Sequence, residues 1–217
     1  METTEHKLLK RGVLIAFEGI DGAGKTTQTK LLEEKLTTIG YDVISLHEPT
    51  KGIWGKKIED LVKNGRHGIS PEIELNYFTS DRLEDVEKNI KPSLQKKKIV
   101  IMDRYYFSTV CYQGARNLDL DYIEKENEKF APIPDIAFII DIEPKTALKR
   151  IKQSRPNSST NHFERETYLE RVRKNFLKQF NNRPNVIIIV GDNTRSITQI
   201  ASEIWKIVES IIKKFEE

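Results

Sequence analysis

An α/β fold built on a parallel sheet is predicted by three features of the 217-residue chain. Five short apolar runs rich in Val and Ile recur along it, at Val13 to Phe17, Val43 to Leu46, Ile99 to Met102, Ile136 to Ile140 and Val186 to Val190. None alternates cleanly between apolar and polar, the pattern of a strand covered on both faces. Segments of helical spacing separate the runs, and strand, helix, strand in succession calls for parallel pairing with right-handed crossovers. The length suits one domain over residues 1–217 with a sizeable core, so a single active site is expected.

Taken in order, the first eleven residues, "METTEHKLLKR", form an N-terminal extension without the apolar core of a signal peptide. No window approaches the apolar length of a membrane span, and a soluble, cytoplasmic protein is expected. The first strand runs into the glycine-rich stretch "FEGIDGAGKTTQ", followed by a helix from Thr26 to Ile39 that ends at Gly40. "SPEIEL" opens another helix, with Ser70 as N-cap and Pro71 in the first turn. The basic run Lys96 to Lys98 precedes the third strand and reads as a solvated turn. In the last helix, Ile197, Ile200, Ala201, Ile204, Trp205, Val208, Ile211, Ile212 and Phe215 follow the three-four spacing of one buried face, expected to be core.

The charge balance, 36 basic against 33 acidic residues for a net +3, lacks the excess of a nucleic-acid binder. One cysteine, Cys111, excludes an intramolecular disulfide framework and reads as a buried, inert thiol. On a parallel sheet, ligands bind beyond the carboxyl ends of the strands. The segments there are "EGIDGAGKTT", "HEPT", "DRYYFS", "DIEP" and "GDNT", all polar or charged.

The first of these matches a P-loop, after a strand and before a helix as the motif requires. Its residues Gly19, Ile20, Asp21, Gly22, Ala23, Gly24, Lys25, Thr26 and Thr27 are candidates to hold the phosphates of a nucleoside triphosphate. Glycines let backbone N–H groups converge on phosphate, and the helix beginning near Lys25 adds its positive dipole end. Lys25 should neutralise the β- and γ-phosphates, while the Thr26 hydroxyl reaches Mg²⁺. A second metal ligand should end a neighbouring strand, usually acting through water, and Asp103 stands there. No guanine-reading Asn-Lys-x-Asp segment occurs, which disfavours a GTPase and leaves a small-molecule kinase as the expected class.

In order along the chain, "IAFEGIDGAGKTTQ", "HEPT", "NYFTSDR", "IKPSL", "DRYYFSTVCYQG", "PDIAFIIDIEPKTALKRI" and "HFERETYLERVRKNF" resemble the thymidylate kinase family, whose members transfer phosphate from ATP to dTMP. The resemblance spans about Gly12 to Thr194. It implies a five-stranded P-loop sheet of order 2-3-1-4-5, a mobile lid over about residues 150–165, and a homodimer. By the same resemblance Phe78 stacks on thymine, and Arg82, four residues on, reads the thymine edge. Arg104 contacts the acceptor phosphate, Thr109 the base, and Tyr112 leaves no room for a ribose 2′-hydroxyl. Ser108 and Gln113 match motif positions without an assigned step. Because the P-loop carries Gly22-Ala23 and no arginine, the cation that offsets charge on the transferring phosphoryl group should come from the lid. Arg155 and Arg165 are its candidates, and Arg150 belongs near the adenine.

Two positions depart from the family pattern. His47 replaces the usual Arg of "REP" at the acceptor-phosphate position, and His162 replaces the Arg of "DRFE". A fixed charge thereby becomes a titratable one, and His47 is expected to bind phosphate partly protonated. Asp21 is the remaining oddity, an acid inside a phosphate cradle; by resemblance it faces the acceptor and accepts the sugar 3′-hydroxyl. A deoxynucleoside kinase, a kinase of shifted base specificity and a non-catalytic nucleotide switch are the alternatives.

Overall fold

The computed structural model describes residues 7–66, 68–154 and 166–217. Strands β1 (Val13–Glu18), β2 (Val43–His47), β3 (Ile99–Asp103), β4 (Ile136–Asp141) and β5 (Val186–Val190) form one parallel sheet in the order β2-β3-β1-β4-β5. This is the expected order. β1 and β3 are buried along their whole length, as β-branched runs without alternation require, while the edge strand β2 is half-buried. Each strand ends one residue or fewer beyond its predicted limit, and where a residue is added it is polar or charged, Glu18, His47, Asp103 and Asp141, of which His47 and Asp103 line the cavity at the sheet's carboxyl edge.

Nine α-helices are described: α1 (Lys25–Thr38), α2 (Ile53–Asn64), α3 (Pro71–Asp85), α4 (Lys91–Gln95), α5 (Tyr106–Gly114), α6 (Leu120–Glu128), α7 (Pro144–Ser154), α8 (Glu166–Phe180) and α9 (Ile197–Ile212). A π-helical stretch, Val86–Ile90, joins α3 to α4. The start of α3 is as predicted: the Ser70 side chain accepts from Ile73 N–H at 3.3 Å, with Pro71 in the first turn. α5 is buried from Tyr106 through Gln113, so its polar residues Ser108, Thr109 and Gln113 need internal partners.

In α9 a capping box between Ser196 and Gln199 fixes the start, and Ile200, Ile204, Val208 and Ile212 are core as expected. Ile197 is not: it is 56% exposed, and Ile197 and Ile200 line the central cavity. The period marks a buried face but cannot distinguish burial in the core from contact with a cavity.

The end of the N-terminal extension is fastened down. Leu9 is buried, Lys10 N–H donates to Phe215 O at 2.7 Å, and the Arg11 guanidinium lies 3.8 Å over the Phe215 ring while pairing with Asp135. In the lysine turn, Lys97 pairs with Glu217 at 2.7 Å and Lys98 with Asp42 at 3.1 Å. Cys111 is buried, and burial pushes its thiol up. Among the described residues no helix is long and apolar enough to cross a membrane.

Candidate active site

A cavity of about 1130 Å³ opens at the carboxyl edge of the sheet, where a parallel sheet places its ligands. One end is made of backbone. The loop between β1 and α1 turns through positive φ at Gly19 (128°), Gly22 (78°) and Gly24 (103°), conformations that L side chains rarely adopt. At Gly22 space is short as well, since a Cβ would sit 2.6 Å from the Ala147 carbonyl oxygen of α7. The loop thus lies directly against the helix that leads to residues 155–165. Lys25 Nζ donates to the carbonyls of Gly19 (3.1 Å) and Ile20 (2.9 Å). Burial and the neighbouring Arg104 push the Lys25 ammonium down to about 8, against the pull of Asp21, Asp103 and Glu18.

Next to the loop, Thr26 Oγ1 donates to Asp103 Oδ2 at 2.5 Å. The register of β2 on β3 sets His47 opposite Asp103, and His47 Nδ1 lies 3.5 Å from the same Oδ2. Burial alone would raise the Asp103 carboxyl; His47, Lys25, Thr26 and Arg104 together hold it down at about 2. Its other oxygen, Oδ1, is buried with no hydrogen-bond partner among the described residues. The imidazole of His47 is more than half exposed, lining the cavity while leaning on this carboxylate.

The opposite wall is made of side chains. Arg104 pairs with Asp21 through Nη2, and its Nη1 donates to Ser108 Oγ at 3.0 Å and lies 3.5 Å from Gly19 O. Its guanidinium lies 5.3 Å from the centroid of the Tyr112 ring. The Tyr112 hydroxyl accepts the backbone N–H of Asp21 at 3.0 Å, and Tyr168 of α8 donates to Tyr112 O at 2.8 Å. Asp21 therefore touches both halves, its backbone in the loop and its carboxylate on the acceptor arginine.

Phe78 lines the cavity from α3. Arg82 stands behind it, only 2% exposed, with Nη2 bonded to Glu48 and to Thr109 Oγ1 (3.0 Å) and Nη1 donating to Asn127 Oδ1 (2.7 Å). Phe78 and Arg82, four residues apart, both line the cavity from α3, but most of Arg82's donors are already engaged by protein. Its Nε and the Glu48 Oε1 have no hydrogen-bond partner among the described residues. Burial pushes the Glu48 carboxyl up, and Arg82 opposes that shift. Gln113 Nε2 turns to Glu74 Oε1 at 3.2 Å, and Glu74 also receives Arg66 and Arg116.

At the other end Arg150 donates to Gly191 O (2.9 Å) and Asn193 Oδ1 (3.0 Å), beside Arg195 and Ile197. Arg155, Arg165 and His162 lie outside the described residues, as does "FE" at 163–164. Every other predicted site residue from Asp21 to Thr27, with His47, Phe78, Arg82, Asp103, Arg104, Ser108, Thr109, Tyr112, Gln113 and Arg150, lines this one cavity. Gly19 and Ile20 do not line it; their carbonyls accept from Lys25, which does.

Sequence reasoning missed Glu18, Glu48, Asn127 and Tyr168. The first two carried a signal, a lone acid just where an apolar run stops; Asn127 on α6 carried none.

The thymidylate kinase family profile matches residues 17–204. A probable thymidylate kinase of Archaeoglobus fulgidus is 42% identical over 200 residues, covering 92% of this chain and 96% of that protein. The thymidylate kinase of Desulfotalea psychrophila is 45% identical over 161 residues, 74% of this chain and 78% of that one. Among solved structures, the thymidylate kinase of Ehrlichia chaffeensis superposes with a TM-score of 0.72 at 32% identity, over 91% of this chain and 98% of that one. With the profile matching residues 17–204 and the two relatives 42% and 45% identical over most of its length, the chain belongs to the thymidylate kinase family.

Proposed function

We propose that the protein transfers the γ-phosphoryl group of ATP to the phosphate of dTMP, giving dTDP and ADP. One observation carries this reading: a single cavity is bounded by the phosphate loop on one side and by Arg104, Tyr112 and Phe78 on the other, with Asp21 of the loop bonded to Arg104 and Tyr112 across it. An acceptor phosphate oxygen forms the new bond to the γ-phosphorus as the bond to the β-bridging oxygen breaks. No covalent enzyme intermediate is needed, and rate comes from positioning and charge neutralisation.

In this reading ATP draws Lys25 Nζ from the loop carbonyls to its β- and γ-phosphates. Arg104 holds the acceptor phosphate, with His47 at the rim. Asp21 accepts the 3′-hydroxyl of the sugar, and Phe78 stacks on thymine. Thr109 and Arg82 face the base edge, where donors suit the thymine C4 carbonyl and disfavour the amino group of cytosine. Tyr112 closes the space a 2′-hydroxyl would need. Arg150, Arg195 and Ile197 surround the adenine, and Arg155 or Arg165 offsets charge on the moving phosphoryl group.

The residues fit Mg²⁺. A hydroxyl and a carboxylate stand side by side at Thr26 and Asp103, and the carboxylate keeps a buried oxygen without a protein partner. Two such ligands match an ion that takes its remaining oxygens from phosphates and water. When bound there, the ion would supply charge neutralisation to the triphosphate. We also propose a homodimer, supported by exposed Ile53, Ile73 and Leu83 on α2 and α3, and a cytoplasmic location, which suits the one buried thiol. Sedimentation velocity reads the first directly.

The test is a coupled assay of ADP release with dTMP, dUMP, dCMP, UMP and thymidine as acceptors. Turnover should be fastest with dTMP, slower with dUMP and near background with thymidine, dCMP and UMP. Preference for thymidine would move the protein to the nucleoside kinases, and no turnover with dTMP would end the proposal.

A further inference from the structure

Glu18 is the only charged residue of β1 and is fully buried at the strand's carboxyl end. Both of its oxygens are occupied: Oε1 accepts the Tyr105 backbone N–H at 2.7 Å, and Oε2 accepts the Ser108 hydroxyl at 2.5 Å. Ser108 Oγ in turn accepts from Arg104 Nη1 at 3.0 Å. Between these contacts Arg104 has φ 73°, a left-handed conformation that costs a side-chain-bearing residue energy and persists only where neighbours impose it. They do so here: the Arg104 N–H is held by Phe17 O at 2.9 Å, and the next N–H, that of Tyr105, by Glu18.

We infer that Glu18 is the positioning residue for Arg104 in recognition of the acceptor phosphate, fixing its left-handed backbone through Tyr105 N–H and aiming its guanidinium through Ser108. The inference rests on the proposed contact between Arg104 and that phosphate. The ionised carboxylate, the form that prevails above about pH 7, is required because it only accepts. The Ser108 proton must then point at Glu18, which leaves an oxygen lone pair for Arg104. A glutamine would present N–H to Ser108 and remove that direction. A carboxylate that merely capped α5 would support the helix, and its loss would weaken every ligand of the wall alike.

Calorimetry on the full chain with dTMP, thymidine and ATP separates these roles. Arg104→Ala should weaken dTMP about 100-fold and thymidine no more than about 2-fold, since a hydrogen-bonded charge pair is lost only for the phosphate. Glu18→Gln and Ser108→Ala should each weaken dTMP about 10-fold with thymidine and ATP within about 2-fold, and the double variant should be no worse than the weaker single. The inference is overturned if both variants bind dTMP like the unaltered protein, or lose dTMP and thymidine equally, while Arg104→Ala keeps its selective loss. If Arg104→Ala itself shows no selective loss, the phosphate contact fails first and takes the inference with it. Should Glu18→Gln not fold, Ser108→Ala alone decides, because it leaves the bond from Tyr105 N–H to Glu18 intact.

Discussion

The two ends of the cavity are made of different material. The donor end is backbone: glycines at positive φ, the carbonyls that Lys25 engages and the start of α1. The acceptor end is side chain, with Arg82 on Glu48, Thr109 and Asn127, and Arg104 on Asp21 and Ser108. Backbone needs only the right φ to point its N–H groups at a phosphate, whatever the base beyond it. Side chains can read one base and one sugar, but their charges must be buried in pairs. The donor end is therefore generic and the acceptor end specific, and the cost of specificity falls on buried ions.

That contrast can be broken in several places. The largest effect on stability should come from Glu48→Ala, which strands the Arg82 guanidinium in a site that is 2% exposed. Removing one partner of a buried pair costs about 3–5 kcal/mol, so denaturant unfolding should show a loss of that order. A loss under about 1 kcal/mol would mean that Arg82 finds water or another partner. Lys25→Ala should cost about 100- to 1000-fold in kcat for ADP release, the range for a preorganised charge at the reacting phosphate, with little change in melting temperature. Catalysis and stability are thus expected to separate, the first resting on the donor lysine and the second on the acceptor pairs.

Glu18 joins the two ends and gives a pH signature. Burial pushes its carboxyl from the ordinary 4.5 up to about 7, against the pull of Ser108, Arg104, the Tyr105 N–H and Lys25; Cys111 of α5 also lies close enough to feel it. An acid raised in the folded state holds its proton more tightly there. Its contribution to stability is therefore complete below pH 4.5 and lost as the pH rises through about 7. Relative to Glu18→Gln, the unaltered protein should lose about 3 kcal/mol of unfolding free energy between those limits. A constant difference across that range would show that the site keeps Glu18 as easy to ionise as in water. The smallest effect concerns the base: dUMP lacks one methyl, worth about 1–3 kcal/mol in kcat/KM, so it should remain a slow substrate.

The same division explains what could be read from the chain beforehand. The strands, the phosphate loop and the Ser70 cap follow from local rules, because period, glycine spacing and capping residues act within a few positions, whereas the strand order is legible only through the family resemblance. The partners of Arg82 and Arg104 do not. Glu48, Thr109 and Asn127 lie 34, 27 and 45 residues from Arg82, and Asp21 lies 83 from Arg104, separations that only the crossovers of the sheet bring to zero. Motif resemblance could still place Arg82 and Arg104 in the acceptor site. It could not say that Arg82 would be found with three protein partners. Ile197 misled for a related reason, since a helix face that lines a cavity has the same period as one that meets a core.

Asp21 and Gly22, adjacent in the loop, test the division most directly. Steady-state kinetics should be measured for Asp21→Asn and Gly22→Ala with each substrate varied in turn. Asp21→Asn leaves the backbone alone and removes the negative charge paired with Arg104, so KM for dTMP should rise at least about 10-fold with KM for ATP within about 2-fold. Gly22→Ala forces a Cβ into a left-handed position 2.6 Å from Ala147 O, so KM for ATP should rise and that for dTMP hold. Equal losses for both substrates in both variants would contradict the account, returning Asp21 to an ordinary turn residue and leaving the loop with one role instead of two.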